Sequence, residues 1–299
     1  KEVMPEAAPV VEEAPVVEEV VEVKAAPVLR VTSVGQELVV ENKSNANDRG
    51  YEDVGDAIHL KNKVGLALGD NWTFDLMARK TWTASIDDHL NGDTEGSGMK
   101  SKAHRIELAA TRHFENFSLG LRWRGEQGSD AIFLPVSYNY GMVSGWFDPA
   151  YYFVNGDDAN AEDYFYLEAE PVVLSYGPVQ LAYYFEGYKY AGDGCVVEGL
   201  KSDYAHQARL RGTVYSNDTF SVGLEYRYQF AQDVELLNGK DGVENNRHIG
   251  VLSGAYNVTE NLTLSGYYQY EFNKYEQHEG KVMDDDYYGE FGLGWSYNF

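Results

Sequence analysis

Tyr287-Tyr288-Gly289-Glu290-Phe291-Gly292-Leu293-Gly294-Trp295-Ser296-Tyr297-Asn298-Phe299 ends the sequence with large apolar residues alternating against small or polar ones. Tyr287, Phe291, Leu293, Trp295, Tyr297 and Phe299 fall on one parity, and Glu290, Gly292, Gly294, Ser296 and Asn298 on the other. A period of two is what a β-strand imposes on its side chains. A strand with one apolar face, one water-compatible face and a final Phe predicts a span of a bacterial outer-membrane barrel, with one side to lipid and the other to water.

Composition fits that expectation. The 299 residues include 24 Tyr and 30 Gly, and no run approaches the ~18 to 20 apolar residues that a membrane-crossing helix needs, so any crossing is made by strands. Lumen-facing residues keep the mean hydropathy of such a barrel low. The chain opens at Lys1 without a charged-then-apolar leader, and the expectation is that an export signal has been removed. Cys195 is the sole cysteine, which excludes an intramolecular disulfide and any multi-cysteine metal site. A formal charge of −24 argues against nucleic acid as a partner, since a polyanion is bound by a basic surface.

Residues 1–27 differ from the rest. Ala-Pro-Val-Val-Glu-Glu recurs at 8–13 and 14–19, with Pro at 5, 9, 15 and 27. Frequent Pro blocks helix and central strand, and paired Glu residues repel, so this segment is expected to be a disordered periplasmic tail. Contact with peptidoglycan or a periplasmic partner is the alternative role for it. Residues 28–299 are expected to form the transmembrane barrel. Its short turns are Gly69-Asp70-Asn71, Glu115-Asn116, Gly141 to Gly145, Tyr176-Gly177-Pro178, Ser216-Asn217-Asp218 and Asn257 to Asn261, rich in residues that supply turn geometry. Its long polar loops are 42–57, 87–102, 125–131, 155–162, 190–202, 231–246 and 275–286. Six turns and seven loops separate fourteen strands and leave both ends on the short-turn, periplasmic side, with the long loops extracellular. Pro135 and Pro149 interrupt the pattern over 131–154, so twelve strands is the competing count.

The apolar parities include Ile58, Leu60, Val64, Leu66 and Leu68; Trp72, Phe74, Leu76, Ala78 and Trp82; Phe117, Leu119, Leu121 and Trp123; and Phe220 through Phe230 on even positions. Trp72 and Trp82 are ten residues apart, as are Phe220 and Phe230, and Tyr287 and Tyr297. At ~3.4 Å rise and ~40° tilt this spacing is about 26 Å, the height of the apolar belt between two aromatic girdles. A soluble β-sandwich also alternates, but its strands are shorter and it would not expose so many aromatic residues to water.

The opposite parity carries Arg79, Arg105, Arg122, Arg124, Arg209, Arg211 and Arg227, together with Asp75, Glu107, Glu168, Glu170, Glu186, Glu225, Glu271 and Glu290. Charges on that face need water or one another, because a basic side chain near the bilayer midplane costs ~2 to 4 kcal/mol. They are expected to line an aqueous pore, either as opposed rows that set a transverse field or as structural ion pairs. Tyr166, Tyr184, Tyr188, Tyr215 and Tyr267 are assigned to the same face and open the alternative of a sugar-specific channel. The loops are acidic, which suggests cation preference at the mouth and bridging by divalent ions to lipopolysaccharide. Asp284, Asp285 and Asp286 are the only candidate metal ligands and show no full coordination set.

Catalytic constellations are thin. Asp87-Asp88-His89 at a strand rim is the best acid–base candidate, and no Gly-x-Ser-x-Gly elbow occurs. No catalytic residue and no cofactor is assigned.

The opening Lys1-Glu2-Val3-Met4-Pro5, the Pro/Glu/Val-rich tail and the terminal Phe299 resemble the fusobacterial FomA-type major outer-membrane porins; monomeric oligogalacturonate-type porins are the weaker resemblance. The first resemblance implies a voltage-sensitive general-diffusion porin, homotrimeric assembly and a role in adhesion. The functional expectation is therefore passive diffusion of small hydrophilic solutes and ions, with a substrate-specific oligosaccharide channel or a surface adhesin as the alternatives. Loop 231–246 is the candidate plug by length.

Overall fold

The computed structural model describes residues 28–45, 54–84, 98–154, 162–192, 194–195, 199–276 and 284–299. They contain fifteen strands and no helix: β1 Leu29–Asn45, β2 Ile58–Leu68, β3 Trp72–Thr83, β4 Lys100–His113, β5 Phe117–Glu126, β6 Ser129–Phe133, β7 Val136–Tyr140, β8 Val143–Val154, β9 Tyr164–Tyr176, β10 Val179–Tyr190, β11 Leu200–Ser216, β12 Phe220–Leu236, β13 Asn245–Asn257, β14 Leu262–Tyr275 and β15 Asp286–Asn298. Every pairing is antiparallel between successive spans, and β1 pairs with β15 from Ser33↔Asn298 to Asn45↔Asp286, which closes the sheet into a barrel. Closure leaves no sheet edge with unpaired backbone groups.

The fifteen strands make fourteen spans. β6 and β7 are two halves of one span, each pairing with both β5 and β8. The break falls at Leu134-Pro135, where Pro135 has no N–H to give the ladder. Its carbonyl still accepts from Gly120 N at 2.8 Å, and Leu134 N donates to Pro149 O at 2.9 Å. The ambiguity between twelve and fourteen strands is thus resolved as fourteen, with a proline-broken sixth span.

All six expected short turns connect strands at one end of the barrel. The other end departs from expectation in two places. The segment 125–131 is a two-residue turn at Gln127-Gly128, with Gly128 at φ 92°, between strands that run to Glu126 and start at Ser129. The segment 231–246 is no plug: β12 continues to Leu236 against β11, and Leu236 N, Gly239 N and Gly242 N close a tight hairpin onto Lys240, Leu236 and Val234 carbonyls. Cys195 is buried and forms a bridge with Leu200 beside this hairpin. The tail 1–27 and the Asp87-Asp88-His89 candidate lie outside the described residues.

Parity sorts the wall as expected. Leu119, Leu121, Leu181, Leu210, Leu224, Leu252, Leu293 and their neighbours are exposed on the outer face, with aromatic residues toward both ends of the spans. One assignment is corrected. Tyr215 pairs with Val222, is half exposed and packs near Phe220, so it belongs to the outer face. A register shift between Thr213 and Tyr215 flips the alternation there.

Inside, small residues make room for large ones. A Cβ at Gly292 would sit 2.1 Å from Cε1 of Tyr267 on the facing strand, so the tyrosine ring lies flat over the glycine. Gly292→Val is expected to lower unfolding stability by about 1–3 kcal/mol, the cost of overpacking. A urea midpoint in detergent equal to that of the parent would contradict this packing.

Candidate functional site

The fifteen charged residues predicted for the inner face all lie on its parity, and among the described residues ten of them form ion pairs, seven of these within two networks. The first centres on Glu170 of β9, a residue only 1% exposed. Arg211 clasps it with a two-pronged fork, Nη1 to Oε1 at 2.9 Å and Nη2 to Oε2 at 2.8 Å. Arg209 adds a third bond, Nη1 to Oε1 at 3.1 Å, and lies 3.3 Å above the centre of the Tyr184 ring. Such bidentate guanidinium–carboxylate contacts are the strong form of the ion pair. On β12, Arg227 donates to both oxygens of Glu225, at 2.8 and 3.2 Å.

The second network spans β4, β5 and β8. Arg124 donates Nε to Glu107 Oε1 at 2.8 Å and Nη1 to the Tyr152 hydroxyl at 2.7 Å. Arg105 pairs with Glu126 at 2.6 Å, and Arg122 with Asp148. Arg122 and Arg124 both lie over the ring of Phe133, at 4.1 and 4.6 Å, and that ring is fully buried. The break in the sixth span leaves Phe133 as the last residue of β6, where its ring forms a platform for the two guanidinium groups.

Carboxylates and tyrosines make a third cluster on β9 and β10. The Tyr166 hydroxyl is 3.2 Å from Glu168 and 2.9 Å from Glu186, and the Tyr184 hydroxyl is 2.9 Å from Glu168 and 3.0 Å from Glu186. Each hydroxyl has one proton to donate, so two of these four contacts are hydrogen bonds and two bring lone pairs together. Glu290 accepts from Tyr267 and, at 2.9 Å, from Tyr288. Glu271 pairs with Arg247 at 3.2 Å. Asp75 and Arg79 face inward on β3 without an ion pair among the described residues.

Several inward charges escaped the sequence. Glu37 holds Lys61 and Lys63, each at 2.8 Å, and Glu41 meets His59 at 2.7 Å. A register shift between Val31 and Ser33 reverses the parity of β1 at its start, which hides the alternation. Glu126 fell inside the expected loop 125–131, Arg247 directly followed the expected loop 231–246, and Asp148 stands beside Pro149 in the irregular segment. Among the described residues, the Asp284 to Asp286 run is not gathered into a metal-holding group. Asp286 instead accepts from Asn273 at 2.8 Å and from the Tyr275 hydroxyl at 2.9 Å.

Toward the short-turn end, Gln180, Arg211, Gly212, Gly223 and Glu225 border a recess of ≈ 390 Å³. Its wall is thinned by glycine, and the charged network stands directly above it.

No protein-family model matches the sequence, and no curated protein matches it significantly. Solved structures do. OccAB3 of Acinetobacter baumannii is similar at a TM-score of 0.51 and 7% identity, over 90% of this chain and 99% of that one. OccD3 (OpdP) of Pseudomonas aeruginosa gives 0.48 at 10% identity, over 91% of each chain. An anion-selective porin of Comamonas acidovorans gives 0.43 at 13% identity, over 91% of this chain and 100% of that one. At 7% identity the likeness to OccAB3 is one of fold, and the barrel architecture is what it supports.

Glu170→Gln removes the charge that three guanidinium bonds converge on. Breaking a buried pair from one side leaves uncompensated charge and costs about 3–5 kcal/mol, so the variant is expected to unfold at markedly lower urea. An unaltered midpoint would mean that water solvates Arg209 and Arg211 in place of the carboxylate.

Proposed function

We propose that this chain is an outer-membrane porin through which small hydrophilic solutes and ions diffuse passively. One observation carries the proposal: a closed fourteen-span barrel whose outer face is aliphatic and aromatic and whose inner face is charged. An outer wall of this kind is stable in hydrocarbon and a liability in water. Eight-strand barrels fill their interior with side chains, and barrel diameter grows with strand number, so fourteen strands leave room for water.

The inward tyrosines favour general diffusion over sugar recognition. Tyr166, Tyr184, Tyr267 and Tyr288 commit their hydroxyls to glutamates, and Tyr152 and Tyr184 are buried in the wall, so few open ring faces remain for stacking. In this reading the short turns and both chain ends are periplasmic, the strand extensions of β11 and β12 rise on the outside, and residues 1–27 form a periplasmic tail. Lipopolysaccharide surrounds the outer rim. Homotrimeric assembly, drawn from the sequence resemblance, is part of the proposal.

Inward arginines are mostly neutralised by carboxylates, while the chain as a whole carries −24, so a weak preference for cations is expected. Purified protein in a planar bilayer under a potassium chloride gradient should show stepwise conductance with a reversal potential on the cation side. Absence of conductance overturns the porin reading; block by one oligosaccharide at low concentration would replace it with a substrate-specific channel.

A further inference from the structure

One row of cross-strand neighbours on the inner wall is charged at every position. Register places Glu37, Lys61, Arg79, Arg105 and Glu126 directly side by side on β1, β2, β3, β4 and β5. The sequence of charges is minus, plus, plus, plus, minus. Like charges directly opposite on adjacent strands repel, so three cations in a row are stable only with anions nearby.

The two outer cations have theirs. Lys61 is 2.8 Å from Glu37 and Arg105 is 2.6 Å from Glu126. Among the described residues, the central one, Arg79, does not. Among the described residues, the other carboxylates nearby are engaged elsewhere: the second oxygen of Glu37 holds Lys63 at 2.8 Å, and Glu107 holds Arg124 at 2.8 Å. Asp75 faces inward on the same strand, but four residues away, about 13 Å at strand rise. Arg79 is thus the one member of the seven predicted inward arginines with no ion pair among the described residues. Its Nε is buried and has no acceptor, and Arg105 next to it also presents a buried Nε without one.

We propose that the Arg79 guanidinium, flanked by Lys61 and Arg105, is a docking site for the carboxylate of a small solute in transit. A carboxylate matches the guanidinium fork with two parallel bonds. The row carries one net positive charge, which one monoanion neutralises and a dianionic phosphate would overshoot. Because Glu37 and Glu126 cap the row at both ends, the anion is confined to the middle strand. The site rests on the porin reading, since it acts on what enters the lumen.

The test is conductance against concentration in potassium acetate, compared with potassium chloride and potassium phosphate. In acetate the parent channel should saturate, and Arg79→Gln should raise the half-saturating concentration about fivefold, the effect of one partly solvated ion pair. Glu126→Gln, which adds net positive charge to the row, should lower it. Arg79→Lys keeps the charge and loses the fork, so it should fall between the parent and Arg79→Gln; it also serves if the glutamine variant does not fold, as judged by compact mobility on unheated gels. Equal half-saturation in the parent and Arg79→Lys, or in the parent and Arg79→Gln, overturns the proposal, and saturation by phosphate at lower concentration than acetate overturns its carboxylate class. A protein that conducts in chloride but shows no saturation in acetate removes this site and leaves the porin reading intact. Absence of conductance in every salt removes the porin reading itself.

Discussion

The hydrogen-bonded join between β1 and β15 is the constraint on which everything else depends. Thirteen residue pairs, from Ser33↔Asn298 to Asn45↔Asp286, turn a sheet into a tube. In hydrocarbon an unpaired N–H or C=O costs several kcal/mol, and an open sheet would expose two rows of them. Once the tube is closed, strand parity divides every side chain between two solvents. The outer face has no water to offer, so charge goes inward; the inner face then holds more ionisable groups than isolated side chains could tolerate at a narrow wall.

Neighbouring strands resolve this crowding by pairing across the ladder. Glu170 with Arg209 and Arg211, Glu225 with Arg227, and Glu107 with Arg124 each join residues on the same or nearby strands. Ion pairs of this kind are weak evidence for stability, because desolvation offsets most of the attraction. Their effect on the lumen is more definite. They hold long flexible side chains against the wall and cancel much of the field that the same residues would otherwise project into the channel.

Fold was largely legible because parity is a property of sequence alone. The last span, the Trp72-to-Trp82 spacing and all six short turns follow from alternation and turn chemistry, and fourteen spans is the count they give. Where the alternation itself misleads, one physical cause is at work. A bulge near Thr32 and a register shift at Tyr215 each add a residue to one strand, and a single extra residue exchanges the two faces. Strand extensions such as β12 to Leu236 carry no apolar belt outside the membrane, so polar sequence there looks like loop. Of the inner face, parity yields which residues point inward. It cannot yield which carboxylate each arginine takes, since that depends on the register between strands far apart in sequence, as with Arg211 and Glu170.

Register also separates two kinds of inward charge that composition treats alike. Among the described residues, six of the seven predicted arginines have a carboxylate within ion-pair distance, and Arg79 has two cations as its direct neighbours instead. Paired groups contribute dipoles whose fields fall off within the width of a pore; an unpaired charge contributes a monopole that reaches farther at the same ionic strength. On the opposite side of the ring, Glu168 and Glu186 face tyrosine hydroxyls rather than cations. In the proposed porin, a solute meets a wall whose charges are ion-paired along part of its circumference and stand without a counter-charge at a few points. In the porin reading, those points are the inward charges that have no ion pair among the described residues.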